Sequence, residues 1–292
     1  MVISEKTEKI YIERLTKLDK MGVNTNDNLK KIMEVFKTQN LSDSSIKLYL
    51  MAILWNNKKN SINKENNNDI SKMITKITKK QQKEIDKNKL SKKQEDSYLE
   101  WEEILKIYEE LKKNREQSKN NYIKYVILSL YIEFPPRRIL DYSEMYVIRD
   151  NYIINKNLTE EYDKKNYYVY DKNIIIFNNY KTKSIQKDGK IYYKQQHFKI
   201  NNKLNNILKE YIDKYKINGS LFNISDKGLI MKLNSIFRNK NKKISVDIIR
   251  HSYITWAERN GLLDTVEKKK KLSEKMAHSV LQQLSYKKIV SS

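Results

Sequence analysis

The sequence predicts a mostly α protein with a small antiparallel β-sheet, split into a helical N-terminal domain and an α+β C-terminal domain. Three observations carry this. Apolar residues recur at helical spacing over residues 4–60 and again from 98 onward. Between 152 and 193 the period changes to short β-branched and aromatic runs. Residues 79–97 are nearly all Lys, Asn, Gln, Glu and Ser, with little to bury, and read as a solvated stretch. The expected division is a helical domain over 1–85, a basic polar linker over 86–97 and a second domain over 98–292.

In the first domain, Ile10, Leu15, Leu18 and Met21 mark one helix, with Gly22 as its stop. Leu29, Ile32, Met33 and Phe36 mark a second. Ser42 to Ser45 offer N-caps for a third, whose face is Ile46, Tyr49, Leu50, Ile53 and Leu54 and which is expected to end at Asn56-Asn57. Ile70, Met73, Ile74 and Ile77 suit one more amphipathic helix. Beyond the linker, Leu99 to Leu111 reads as a helix. Tyr122 to Phe134 is apolar nearly all round and reads as a buried one, stopped by Pro135-Pro136. Arg137-Arg138-Ile-Leu-Asp141 then opens a new helix or turn. The strand candidates are 152–154, 167–170, 173–177 and 190–193, with Asp188-Gly189 as a turn signal inside a lysine-rich hairpin. Leu204 to Ile212, Leu229 to Phe237 and Ile248 to Glu258 return to helical spacing, and Leu221-Phe222 suits a short strand or buried turn.

Formal net charge is +23 across 292 residues, which favours polyanionic partners, nucleic acid first. Abundant Asn, Lys, Ile and Tyr beside 5 Gly and 2 Pro indicate an AT-rich coding sequence, so part of that charge is compositional drift. No apolar run reaches membrane-spanning length and no signal-peptide pattern opens the chain, which makes an intracellular, non-membrane protein the expectation. Zero cysteines exclude disulfides and thiolate metal sites, and three histidines (His197, His251, His278) argue against a histidine-built one. No metal and no cofactor are expected.

The chemistry concentrates between Ser245 and Tyr286, where Arg250, His251, His278 and Tyr286 fall close together. Breaking a phosphodiester without a metal needs a nucleophile, fixed cations for the non-bridging oxygens, an acid for the leaving 5′ oxygen, and in-line placement. Arginine suits the oxygens because its planar fork is always charged and donates in parallel. Singly, each residue has an ordinary reading: Arg138 a helix-start surface charge, Lys181 one lysine of many, His278 a satisfied buried histidine, Tyr286 one of 21 tyrosines. Arg137 competes with Arg138, and Lys183 with Lys181. The order and spacing of the five carry the weight.

In that order they resemble the tyrosine recombinases, or phage-type integrases, over nearly the whole chain. Arg138 with Asp141 three residues on matches the first arginine box. Lys181 in Tyr-Lys-Thr matches the hairpin lysine, and Arg250 in Ile-Ile-Arg-His-Ser matches the second arginine. His278 in Met-Ala-His-Ser matches the histidine box, and Tyr286 the nucleophile. The N-terminal helices are similar to the family's core-binding domain. The resemblance implies a site-specific recombinase in which Tyr286 forms a 3′-phosphotyrosyl link, Arg138 and Arg250 clamp the phosphate, Lys181 is the general acid, and His278 binds phosphate and orients or deprotonates the tyrosine. It implies double-stranded DNA as partner, a homotetramer on the DNA synapse from a free monomer or dimer, and a mobile element or virus as setting. Lys181, Lys183, Arg138 and Arg250 are its expected DNA contacts. Three departures stand out. Asp247 occupies the place of a usual His or Lys and either braces Arg250 or leaves its role to His251. The run from His278 to Tyr286 is one residue short. Little chain follows Tyr286. Two other readings stay open: a type IB topoisomerase with the same tyrosine chemistry, and an inactive relative that only binds DNA.

Overall fold

The computed structural model describes residues 3, 5–61, 64–143, 145–149, 164–182, 184–187, 190–193, 195–238 and 242–287. The chain divides into two compact units, Met1–Lys87 and Asn88–Ser292.

The first unit is built from α1 (Glu5–Lys20), α2 (Leu29–Thr38), α3 (Asp43–Lys59) and α4 (Lys64–Asp86). Gly22 at φ +72° takes the left-handed turn that ends α1, and Val23 N–H returns to the Leu18 carbonyl at 3.1 Å. Asn28 and Ser42 cap α2 and α3 by accepting from Lys31 N–H and Ser45 N–H. Leu18, Ile32, Phe36, Leu50, Ile53 and Ile70 meet in one core. Two expectations change. Helix α3 runs past Asn56-Asn57 to Lys59, because Asn57 is buried and donates its amide to Asn67 Oδ1 at 3.0 Å instead of capping. Helix α4 continues through Lys79 to Asp86, where a solvated stretch was expected. Lys, Gln and Glu are good helix formers and extend a helix whose anchoring apolar face lies upstream.

The second unit begins with a short turn of helix, α5 (Lys92–Glu95), inside the stretch expected to be linker. Its Ser91/Gln94 capping box closes it without any apolar residue. Then follow α6 (Trp101–Asn114), a 3₁₀ turn over Arg115–Gln117, and α7 (Lys119–Ile132). Helix α7 is buried on nearly every side, as its all-round apolar pattern requires. After Pro135-Pro136 comes α8 (Ile139–Ser143), which leads into β1 (Met145–Ile148). The strands β2 (Asn166–Val169), β3 (Ile174–Phe177), β6 (Gln196–Lys199) and β7 (Gly219–Ser220) join β1 in a five-stranded sheet of order β6-β3-β2-β1-β7. β4 (Ser184–Lys187) and β5 (Lys190–Tyr193) form a separate two-stranded ribbon.

The sheet is mixed rather than antiparallel. β1 pairs with β2 in parallel, Met145 opposite Asn166, while its other neighbours run antiparallel. A parallel pair needs a long crossover instead of a tight turn, and the segment between Ile148 and Asn166 is long enough to supply one. Four-residue strands carry no directional signal in their side chains, so the sequence could not give this. The expected strand at Tyr152 to Ile154 and the turn at Asp188-Gly189 lie outside the described residues.

Five helices complete the unit: α9 (Asn202–Lys214), α10 (Asp226–Ile236), α11 (Val246–Arg259), α12 (Val266–Lys275) and α13 (Val280–Tyr286). The apolar faces of α6, α7, α9, α10 and α11 pack with one face of the sheet, through Leu128, Phe177, Leu208, Phe237 and Ile249 among others. A smaller cluster of Ile254, Leu263, Met276 and Tyr286 ties α11, α12 and α13 together. No helix among the described residues is long and apolar enough to cross a membrane.

Candidate active site

Helix α11 starts at the Ser245 cap, which accepts from Ile248 N–H, and its buried face includes Ile249, Arg250, Ser252 and Ile254. Arg250 therefore points into the unit, and it is fully buried. Its Nη2 donates to His278 Nδ1 at 2.7 Å. Its Nε and Nη1 make no hydrogen bond, and no carboxylate forms an ion pair with it among the described residues. A buried guanidinium in this state is costly. Burial draws its pKa down, yet an arginine stays charged.

His278 is carried by an unusual helix end. Helix α12 closes in a Schellman turn, with His278 N–H on the Ser273 carbonyl and Ala277 N–H on that of Glu274. The left-handed position is Ala277, at φ +52°, where glycine is the usual residue. The turn sets His278 against Arg250 and aims the Ala277 carbonyl at Arg138, whose Nη1 donates to it at 2.7 Å. Thr182 Oγ1 donates to the same oxygen at 3.1 Å.

Because an arginine can only donate, His278 Nδ1 is an acceptor and the neutral ring carries its proton on Nε2. Burial, with the Arg250 and Arg138 cations, pushes the ring down to about 3 from 6.5. Gln283 lies beside it, close enough to favour the charged ring but without hydrogen-bond geometry, so Nε2 and both Gln283 side-chain atoms stay buried and unsatisfied.

Tyr286 ends α13, which Ser279 caps through Gln282 N–H. Its ring is buried, 5.4 Å from the His278 ring and 4.7 Å from that of His251, with the Arg250 guanidinium 4.9 Å from its centroid. Burial raises the phenol's pKa, and Arg250 opposes the rise. His251 uses its ring on the protein: Nδ1 lies 2.8 Å from the Tyr286 carbonyl and Nε2 lies 3.1 Å from Gln94 Nε2. The carbonyl only accepts and the amide only donates, so Nδ1 carries the proton. His251 thus holds the tyrosine's backbone.

The adjacent arginines divide the work. Arg137 is fully buried, ion-paired with Asp141 at 2.6 Å, and bonded to Gln196 Oε1 and the Lys275 carbonyl at 3.0 and 2.7 Å. Its guanidinium lies 3.7 Å from the Phe177 ring centroid. Burial raises the Asp141 carboxyl and Arg137 opposes the rise. Arg137 is therefore a brace that fixes the end of α12, and Asp141 is its counter-ion. Arg138, one residue on, is half-buried and borders a cleft of about 360 Å³ with Asn234, Lys243, Ser245 and Asp247. Larger cavities of about 450 and 750 Å³ lie in the first unit, but no buried cation lines them.

Arg138, Arg250, His278 and Tyr286 thus come together from three separate stretches. Asp247 is exposed in the first turn of α11, on the cleft wall and without an ion pair to Arg250. Lys181 is exposed, joined to the cluster through its neighbour Thr182, and Lys183 lies outside the described residues. Two contributors escaped the sequence reading. Thr182 carries no distinguishing signal in a polar loop. Gln283 does carry one, since it lies one helical turn before Tyr286 and so on its face. No group of three or more His, Cys, Asp or Glu side chains is placed to hold a metal ion among the described residues. No protein-family model matches the chain, and no curated protein is significantly similar to it in sequence.

Two outcomes are expected. Arg137→Met strands Asp141 and should cost about 3 kcal/mol or more, whereas Arg138→Met should cost less than about 1 kcal/mol; urea unfolding in a Trp55→Phe background, where Trp101 and Trp256 report on the second unit, checks both. His278 is neutral in the fold but takes a proton below about 6.5 when unfolded, so its contribution is full above that pH and lost as pH falls toward 3. At pH 5 the loss relative to pH 7.5 should be about 2 kcal/mol, and His278→Asn, which still accepts from Arg250, should remove that part of the acid sensitivity.

Proposed function

We propose that the second unit cleaves and rejoins DNA strands through a covalent 3′-phosphotyrosyl intermediate, as a site-specific tyrosine recombinase does. The observation that carries this reading is the set of buried donors without acceptors around Tyr286. Arg250 Nε and Nη1 lack partners, and His278 Nε2 carries a proton it does not share. An anion with several oxygens satisfies them together. The nearby tyrosine supplies the nucleophile, and the half-buried Arg138 a second cation.

In this scheme the phosphate oxygens accept from Arg250, Arg138 and His278 Nε2–H. Tyr286 Oη attacks phosphorus, the bond to the 5′ oxygen breaks, and Lys181 protonates that oxygen. His278 serves as a phosphate donor and not as the base for the tyrosine, because its other nitrogen is already occupied by Arg250. Arg250 next to the ring favours the phenolate as the bond forms. Double-stranded DNA is the substrate, and pairing of two duplexes calls for a tetrameric synapse of this chain. A second reading, DNA binding without cleavage, draws on the exposed Asp247 carboxylate at the cleft, which repels a phosphate.

Covalent trapping separates the two. A pool of nicked random-sequence duplexes, incubated with the full chain in excess EDTA, should yield a protein–DNA adduct resistant to denaturation. Tyr286→Phe should abolish the adduct while retaining salt-sensitive binding. No adduct from the wild-type chain leaves only the binding reading, and an adduct from Tyr286→Phe assigns the nucleophile elsewhere. Arg250→Met should also lose the adduct yet unfold at higher urea, by roughly 1 kcal/mol or more, because a buried uncompensated charge is replaced by an apolar chain of similar length.

A further inference from the structure

The Ala277 carbonyl receives two donors from distant parts of the chain, Arg138 Nη1 and Thr182 Oγ1, at 2.7 and 3.1 Å. A carbonyl oxygen has two lone pairs, so both are used. The oxygen is held there by the Schellman turn and by the left-handed backbone of Ala277 itself. On the other side of the contact, Thr182 is exposed and follows directly on Lys181, also exposed. No ion pair or hydrogen bond fixes the Lys181 side chain among the described residues. The threonine hydroxyl thus ties this loop to the turn that carries His278, at the same oxygen that receives Arg138.

We infer that Thr182 is a positioning residue for the general acid: its bond to the Ala277 carbonyl sets the reach of Lys181 to the leaving 5′ oxygen. The inference rests on the proposed strand-transfer reading. In the step concerned, the Tyr286 oxygen bonds to phosphorus and the phosphorus–O5′ bond breaks. The Lys181 ammonium gives a proton to O5′, leaving a 5′-hydroxyl, and the phenol proton passes to solvent. A lysine on a flexible four-carbon stem delivers its proton efficiently only from an anchored backbone, and general acids contribute about 10²–10⁴-fold to such steps. Sharing one acceptor with Arg138 registers the acid against the phosphate clamp. The His278 turn, the clamp and the acid loop then assemble as one piece.

The test uses the full chain, a site recovered by trapping, and two versions of the nicked duplex. One has the natural 5′ oxygen at the scissile phosphate. The other has sulfur there, which leaves as a thiolate without needing an acid because a thiol titrates at about 8.5, far below an alcohol. Thr182→Val, equal in size but without the hydroxyl, should slow adduct formation about tenfold or more on the oxygen duplex. It should come within about twofold of wild type on the sulfur duplex, with Thr182→Ser retaining the wild-type rate on both. Lys181→Ala should show the same oxygen-specific defect. Equal rates for Thr182→Val and wild type on oxygen overturn the inference. So does an equal defect on both duplexes, which makes the threonine a support of the whole site. If wild type forms no adduct on either duplex, the strand-transfer reading fails; if wild type reacts and Lys181→Ala is not rescued by sulfur, Lys181 is not the acid and Thr182 has no acid to position.

Discussion

A positive charge sealed inside the second unit without an ion-pair partner among the described residues is the constraint on which the rest depends. Arg250 is fully buried and its one hydrogen-bond partner with good geometry is a neutral imidazole. Folding gains little from that arrangement, because desolvating a guanidinium costs several kcal/mol and, among the described residues, Asp247 and Asp141 favour the charge only from beyond ion-pair distance. The surrounding structure has to supply the difference. Helix α11 places apolar neighbours on both sides of the arginine, and the turn after α12 delivers His278 as an acceptor that does not cancel the charge. A carboxylate in that place would relieve the cost and leave fewer donors of Arg250 unmatched.

Arg137 shows the opposite solution one residue from Arg138. It too is fully buried, but Asp141 takes up its Nε, Gln196 and the Lys275 carbonyl take up its Nη1, and Phe177 covers its face, with Nη2 left unbonded. The result is an anchor between the start of α8, strand β6 and the end of α12. The site is thus held by an ion-paired arginine, while the neighbouring Arg250 keeps two donors without acceptors. Asn166 adds to the same base: its side chain bonds the Asp141 and Asn179 carbonyls and receives the N–H groups of Asn178 and Asn179. That amide joins the loop before Lys181 to the helix that follows Arg138.

Much of this was legible in the residues. Helical periodicity located α2, α3, α6, α7 and α9, since a half-buried helix writes its apolar stripe into the sequence every three or four positions. The groups around Tyr286 were legible because arginine, histidine and tyrosine in that order are few and their chemistry is specific. The rest was hidden for physical reasons. Strands of four residues have no room for a pattern that tells parallel from antiparallel. Arg137 and Arg138 differ only in the angle at which the chain leaves Pro135-Pro136, and composition does not encode an angle. The roles of His251 and Asp247 turned on which way two side chains of α11 face, and the structure turns the histidine to the Tyr286 carbonyl and the aspartate to the cleft. Helix α4 outran its apolar stripe because Lys, Gln and Glu sustain a helix without one.

The shared carbonyl of Ala277 also bears on the order in which the unit folds. Its two donors lie 139 and 95 residues away along the chain. Contacts between such remote positions close late, after the local helices have formed, because the loop entropy must be overcome first. A partly folded chain therefore holds its arginines apart from the turn and its tyrosine apart from both. Whatever reactivity the cluster has is confined to the completed fold, and an intermediate met during folding or unfolding carries the same residues without their chemistry.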